Sequence, residues 1–440
     1  MISVQRSFLR IAIAAVGLVV ASVPASAVES SPESVFRDAR EYTVRIRGQI
    51  ERPFIEDVAG SYFGSGFLVD AERGWIVTNA HVAGQSPSAL QVAFADGTYQ
   101  PATKLYVDSF SDIAVIAVAS GTRGRRAARL RCEQPTRVGE ALGVFGHPQG
   151  LSFTGTRGIV SGHTDKFGPD FIQTDAAIDG GNSGGPVMRL RDGAVVGIAT
   201  AGIDGDESAG SNFVTPAREV CRILELLRAG VAPEPVHMPF ALLVDEDGRH
   251  TMQLAQTHDA QRWPFEPGDR ILCVEGEADT LRTLSDLVTA LRGRLGTVNL
   301  RVVRDGKTIT VNATPERRES ILARRGISID GVLIAPIVHE DGVALSQPMR
   351  LSVHSVEDGT IAASLDIGER DAIESIDGRK FEDVDALAGY LRTRQVATPL
   401  RIVFRRGSAS EHRFHDYHVR ELPGEDIEQV GAWDEKIAAQ

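Results

Sequence analysis

The chain has 440 residues, 42% hydrophobic and 24% charged, which excludes a collagen-like or wholly disordered protein and, at roughly 100 to 200 residues per domain, a single small module. Lys and Arg number 47 against 59 Asp and Glu, a net charge of −12, so the molecule repels a phosphate backbone and nucleic acid is not an expected partner. Aromatics make up 6% while glycine contributes 44 residues, which suits short strands joined by tight turns, and a mostly β protein is expected.

Arg6 and Arg10 precede the apolar stretch Ile11 to Val23 and the small-residue string Ala25-Ser26-Ala27, the pattern of an export signal cleaved near Ala27. A stretch of 13 residues falls short of the roughly 18 to 20 that a membrane-spanning helix needs, so no stable membrane anchor is expected after cleavage. Two arginines and no acid leave with residues 1–27, taking the net charge from −12 to −14. Cys132, Cys221 and Cys273 are too few for a disulfide framework and lack metal-ligand spacing. In an oxidising compartment either a Cys132–Cys221 bond or buried free thiols is open.

Ser31 to Arg40 reads as a short helix carrying Val35 and Phe36 on one side. From Tyr42 the pattern is of strands: Gly66-Phe67-Leu68-Val69 and Trp75-Ile76-Val77-Thr78 form a hairpin across a turn ending in Gly74. Short apolar runs recur to Val214, and a helix is expected from Ala217 to Leu227, with Val220, Ile223, Leu224 and Leu227 on one stripe. Gly230 stops it and Pro233 and Pro235 cannot continue it, which puts the first domain boundary at residue 230.

The remainder contains a duplication. Asp269-Arg270-Ile271-Leu272-Cys273-Val274-Glu275-Gly276 returns 102 positions later as Asp371-Ala372-Ile373-Glu374-Ser375-Ile376-Asp377-Gly378. Each copy continues into a helix, with Leu287 and Leu291 or Leu387 and Leu391, then a strand and a turn glycine, Gly306 or Gly407. A period near 100 marks a repeated domain and not a solenoid. The copies are placed at 236–316 and 326–422 and a tail at 423–440, with Arg317, Arg318, Arg324 and Arg325 as a solvated charge run at the joint.

The chemistry centres on Gly181-Asn182-Ser183-Gly184-Gly185-Pro186. A serine hydroxyl is a poor nucleophile until a base takes its proton, and the oxyanion it creates needs preorganised donors. The glycines let the backbone bend so that the N–H groups of Gly181 and Ser183 can face one oxygen. The base candidate is His81, after the strand Trp75 to Val77. Asp112 is the orienting acid, because a carboxylate entering the apolar run Ile113-Ala114-Val115-Ile116 needs a donor such as an imidazole N–H. The order His, Asp, Ser is one of three known for this triad. The structural alternatives are a glycine-rich turn, a strand-end histidine and a strand-edge aspartate.

These residues, with Gly64-Ser65-Gly66-Phe67, Thr78-Asn79-Ala80-His81-Val82, Asp112-Ile113-Ala114-Val115, Gly158-Ile159-Val160-Ser161 and Gln173-Thr174-Asp175-Ala176-Ala177-Ile178, resemble the HtrA/Deg serine proteases over roughly residues 60 to 216. The resemblance implies a chymotrypsin-like double β-barrel followed by two PDZ-like α+β domains, His81 as general base, Asp112 as its orienting acid, Ser183 as nucleophile, and homotrimers or larger homo-oligomers, for which Val35 and Phe36 are candidate contacts. The chain departs from the family pattern at Asp179-Gly180 and Gly146-His147-Pro148-Gln149-Gly150, which touches the rim of the cleft and not the triad. His147 and His163 read as loop residues, and Asp204, Asp206 and Glu207 as a solvated turn. No metal or cofactor is expected.

Asn182 carries no charge to receive a new N-terminus, so zymogen cleavage is not expected. In this fold the position six before the nucleophile, here Ala177, lies at the base of the primary specificity pocket. Walls of Ala177, Ile178 and Ala201 would leave a Lys or Arg cation desolvated without a partner, so cleavage after small or medium aliphatic residues is expected. The C-terminal copies lack a readable carboxylate-binding loop and run strand, Glu-Asp-Gly, strand, at Glu246-Asp247-Gly248 and Glu340-Asp341-Gly342. Capture of C-terminal peptides and a degenerate packing module are both open. No Gly-x-x-x-x-Gly-Lys-Ser/Thr motif occurs. The reading is an exported, periplasmic, ATP-independent endopeptidase for unfolded or damaged envelope proteins, the alternative being a chaperone-like or PDZ scaffold that does not degrade.

Overall fold

A computed structural model of the chain describes residues 31–148, 153–200, 212–277, 280–337, 351–394, 398–407 and 415–433. The export segment, Ala201, the turn at Asp204, Asp206 and Glu207, and Glu340-Asp341-Gly342 lie outside the described residues.

Helix α1 (Pro32–Tyr42) starts where Ser31 accepts the N–H of Ser34 at 3.2 Å, with proline in the first turn. Val35 is buried and Phe36 packs on Phe145, ring centroids 6.0 Å apart. A Cβ added at Gly143 or Gly155 would lie 2.8 Å from the Phe36 ring. Val35, expected from sequence as a contact between copies, is therefore spent inside its own chain, whereas Phe36, which attaches α1 to the second barrel, keeps part of its surface exposed.

The first barrel comprises β1 (Thr43–Ile50), β2 (Gly60–Asp70), β3 (Trp75–Thr78), β4 (Ala89–Ala93), β5 (Tyr99–Asp108) and β6 (Ile113–Val118), closed in the order β1-β2-β3-β6-β5-β4. The second comprises β7 (Ala141–Gly146), β8 (Thr154–Thr164), β9 (Phe171–Thr174), β10 (Pro186–Arg189), β11 (Val195–Thr200) and β12 (Asn212–Pro216), closed in the corresponding order β7-β8-β9-β12-β11-β10. The expected mostly β class and double barrel are thus what the chain forms, and closure leaves neither sheet an open edge. The β2–β3 hairpin pairs Phe67 with Val77 and Leu68 with Ile76.

Helix α3 (Ala217–Arg228) follows and stops where Gly230, at φ +68°, donates to Leu227 O and Val231 donates to Leu226 O. Its buried Val220, Ile223 and Leu224 join the main core. Leu130 bridges to Val195 and Arg131 N–H donates to Val195 O at 2.8 Å, so the strip before β7 runs beside β11, on which α3 packs. Cys132 and Cys221 meet there, Cα to Cα 5.9 Å, and of the two open readings the structure holds the disulfide; Cys273 is a free thiol.

Two further units follow. The first is a five-stranded sheet, Phe240–Val244, His250–Thr257, Arg270–Val274, Val298–Arg304 and Lys307–Ala313, with the helix Leu284–Leu291. The second is a seven-stranded sheet with the helix Val384–Thr393. The duplication extends to single atoms. Arg304 reaches both carboxylate oxygens of Asp269 at 2.8 and 2.6 Å, and Arg406, also 35 residues on, reaches both of Asp371 at 2.8 and 2.7 Å.

Two expectations are corrected. The segment 423–440 is not merely a tail, since Ile427–Gly431 pairs with Arg325–Ile329 in the second unit's sheet. Arg324 is not solvated: its side chain is 4% exposed, bound to Glu56 at 2.5 Å and stacked 5.0 Å from the Phe54 ring. Phe54, from the loop between β1 and β2, inserts beside Leu333, Ala335 and Val430, and that docking removes Arg324 from water.

Candidate active site

Strand β3 ends at buried Thr78, whose hydroxyl donates to Ser65 O at 2.7 Å. The single turn α2 (Ala80–Ala83) then rotates the chain, closed by Ala83 and Gly84 N–H groups on the carbonyls of Asn79 and Ala80. This leaves the His81 side chain 47% exposed and facing Asp112. His81 Nδ1 lies 2.8 Å from Asp112 Oδ2 and 3.1 Å from Oδ1, and the His81 backbone N–H donates to Oδ1 at 3.0 Å. Burial alone would depress the imidazole pKa; the hydrogen bond and charge of Asp112 outweigh it and hold it above the ordinary histidine value.

Asp112 has φ +50°, a left-handed conformation that costs a residue other than glycine about 1 kcal/mol. Its carbonyl is fixed by Asn79 Nδ2 at 2.9 Å, and the same amide reaches Thr200 Oγ1 at 3.1 Å, on the last residue of β11. Behind it the loop is gripped from the first C-terminal unit. Arg292 is fully buried, with Nη2 on Asp108 Oδ2 at 2.5 Å and on Ser111 Oγ at 3.4 Å, and Nη1 on Tyr106 OH and Pro233 O at 2.6 and 2.7 Å. Asp108 in turn accepts the N–H groups of Phe110 and Ser111. Removing one partner of a buried pair costs about 3–5 kcal/mol, so Arg292→Ala is expected to lower the unfolding free energy by that amount in urea titration. A loss below about 1 kcal/mol would contradict this anchoring role.

Ser183 lies in the turn between β9 and β10, built by Asn182 N–H on Asp179 O and Gly185 N–H on Asn182 O, both at 2.9 Å. The Ser183 carbonyl accepts the N–H of Ser65 across the barrels at 2.9 Å. A Cβ on Gly184, at φ +85°, would sit 2.0 Å from Ser65 O, so only glycine fits there. Gly64 is equally confined: its added Cβ would lie 2.5 Å from Val82 Cγ1 and 3.3 Å from Ser183 O. One glycine thus separates the residue after His81 from the candidate nucleophile.

Ser65 entered the sequence reasoning only within Gly64-Ser65-Gly66-Phe67, with no role of its own. Besides its N–H on Ser183 O, its hydroxyl donates to Gly181 O at 2.7 Å and accepts His147 N–H at 3.1 Å. It ties the first barrel to both predicted oxyanion donors, Gly181 and Ser183. A serine between two glycines carries no signature of that role.

Of the predicted pocket residues, Ala177 is exposed with its carbonyl accepting Thr156 Oγ1 at 2.8 Å, Ile178 is buried among Leu142, Val144, Ile172 and Val214, and Ala201 lies outside the described residues. The nearby acid Asp175 accepts Ile159 N–H at 2.6 Å. His147 and His163 are not open loop residues. His147 is buried edge-on to Phe153, its pKa pushed down to about 3 by burial and by Arg45, and His163 sits in β8 with Nε2 2.9 Å from Thr136 Oγ1. No cluster of three or more His, Cys, Asp or Glu that could hold a metal occurs among the described residues.

A closed pair of six-stranded barrels with a histidine–aspartate pair and a glycine-wrapped serine at their junction defines a trypsin-like peptidase, and the trypsin-like peptidase domain family matches residues 64–198. A probable periplasmic serine endoprotease, DegP-like, from Chlamydia pneumoniae is 31% identical over 354 residues, covering 75% of this chain and 71% of that protein. The periplasmic serine endoprotease DegP of Escherichia coli K12 is 27% identical over 363 residues, 77% of this chain and 74% of that protein. Among solved structures, the HtrA-type protease AlgW with tripeptide superposes with a TM-score of 0.52 at 24% identity, covering 66% of this chain and 98% of its own, a likeness of fold. The chain belongs to the HtrA/DegP family of serine endoproteases.

Proposed function

We propose that the chain is an exported periplasmic endopeptidase whose catalytic residues are His81, Asp112 and Ser183, acting on unfolded or damaged envelope proteins without ATP. Its relatives from Chlamydia pneumoniae and Escherichia coli are periplasmic endoproteases, and no described helix is long and apolar enough to cross a membrane. The observation that carries the reading is the His81–Asp112 contact at 2.8 Å beside a Ser183 loop clamped to the same barrel. Ser183 Oγ attacks the scissile carbonyl carbon while its proton passes to His81 Nε2. Asp112 holds the Nδ1 proton and steadies the imidazolium, and the Gly181 and Ser183 amides receive the oxyanion. The C–N bond breaks as His81 returns the proton to the leaving amine, and water then hydrolyses the acyl-enzyme by the same relay. The intact histidine–aspartate pair gives no support to a scaffold that does not degrade.

That the position six before Ser183 is Ala177 and not an acid supports cleavage after small or medium aliphatic residues. Fluorogenic peptides ending in Ala or Val are expected to be cleaved with kcat/KM at least about tenfold above those ending in Arg, a discrimination within reach of one desolvated cation; a preference for Arg would contradict it. The general base must be neutral, so kcat/KM is expected to fall as pH drops through a histidine pKa raised above its ordinary value of about 6.5. In Asp112→Asn the raising influence is lost and the acid limb moves down. A wild-type limb at or below the ordinary value would contradict the pairing.

A further inference from the structure

The two C-terminal units differ at one sheet edge. Their strands can be matched by backbone contacts: Leu254 N–H donates to Asp269 O and Leu254 O accepts from Gly268 N–H, while Val353 N–H donates to Asp371 O and Val353 O accepts from Arg370 N–H. Leu242 pairs with Leu254, and Ile334 pairs with Val353. Phe240–Val244 and Val332–Pro336 are therefore the same strand in the two copies.

In the first unit this strand is outermost in its sheet among the described residues, with Leu243 41% and Val244 54% exposed. The chain just before it, Val236–His237, pairs only with Glu316–Arg317 and then meets Pro239, which has no N–H to give. In the second unit the same edge is filled by Arg325–Ile329, antiparallel to it, with Ile327 opposite Ile334 and Ile329 opposite Val332. Asp330 and Gly331 join the two strands at φ +47° and +90°, the pair of left-handed residues a two-residue hairpin turn requires. Ile327 and Ile329 are fully buried in one core with Val384, Leu387, Ala388 and Leu391 of the helix, and Arg325 is tied to Asp385 at 2.6 Å. The outer side of this strand is covered by Ile427–Gly431, and the Asp330 carboxylate accepts the N–H groups of Gly424, Glu425 and Asp426.

An extended segment that pairs with the edge strand and lays alternate apolar side chains on the adjacent helix has the geometry of a peptide bound by strand addition. We propose that the second unit is self-complemented, its own Arg325–Ile329 holding a peptide's place, so that each chain offers one strand-receiving edge, Phe240–Val244. The ligand that fits is an extended peptide with branched apolar residues at alternate positions, the pattern of the strand that fills the sister edge. A tether of two residues gives the internal strand an effective concentration of mM or more, and displacing it exposes two isoleucines, so a free peptide does not compete there. The inference rests on the C-terminal units serving substrate selection.

The test is amide hydrogen exchange on the full mature chain carrying Ser183→Ala, to prevent cleavage, titrated with the synthetic peptide Arg-Arg-Gly-Ile-Ser-Ile-Asp, the sequence of residues 324–330. Exchange within 240–244 is expected to slow at least about tenfold and saturate at one equivalent, while 332–336 is protected from the start and unchanged. Slowing at 332–336, saturation at two equivalents, or no slowing at 240–244 would overturn the proposal. Cleavage of a denatured protein by the wild-type chain is measured separately. Its persistence without peptide binding sinks this inference alone, whereas its absence sinks the proposed function and leaves the exchange result readable.

Discussion

Ser183→Ala is expected to lower turnover of a denatured protein substrate by about six orders of magnitude, the loss seen when the nucleophile is removed from such a triad. The fold should be untouched, because what Ser183 gives the barrel junction is its backbone carbonyl, held by Ser65 N–H at 2.9 Å, and alanine keeps that carbonyl. A circular dichroism melt checks the second point while kcat/KM checks the first. Residual activity reflects the oxyanion donors and substrate binding. Turnover within tenfold of wild type, with active-site titration excluding wild-type contamination, would refute the assignment.

Asp112→Asn is expected to cost about 10⁴ in kcat. Asparagine adopts the left-handed conformation as readily as aspartate, so the backbone at φ +50° and the Asn79 contact to its carbonyl can persist. What changes is the proton on the imidazole. The carboxylate now 2.8 Å from His81 Nδ1 can only accept, which fixes the proton on Nδ1 and leaves Nε2 free to take one from Ser183. An amide can present N–H instead, forcing the opposite tautomer. A loss below tenfold at optimal pH would show that Asp112 does not orient the base.

The chemistry was legible because it depends on local conflicts in the sequence. A charged Asp112 entering Ile113-Ala114-Val115-Ile116, and glycines crowded around Ser183, make little sense without partners. The parts that escaped depend on distance along the chain. Arg292 carries no signal that singles it out and Arg324 reads as a solvated cation, yet their partners Asp108 and Glu56 lie 184 and 268 residues away, and nothing nearby announces the docking that buries them. Val35 and Phe36 show an apolar helix face but not what covers it, and the covering surface exists only once β7 and β8 are paired. Ile427–Gly431 is too short to display a period, and its partner strand lies about a hundred residues earlier. Cys132 and Cys221 carried no sign of proximity until α3 lay on β11.

Whether His81, Asp112 and Ser183 act as one catalytic unit is tested most directly by labelling the purified mature protein with a serine-reactive aryl phosphonate and reading the adduct by intact mass and peptide mapping. One adduct per chain on Ser183, absent in Ser183→Ala and slowed at least about a hundredfold in Asp112→Asn, is the predicted result. No adduct on a folded chain that cleaves denatured protein, or labelling at another serine, would contradict it.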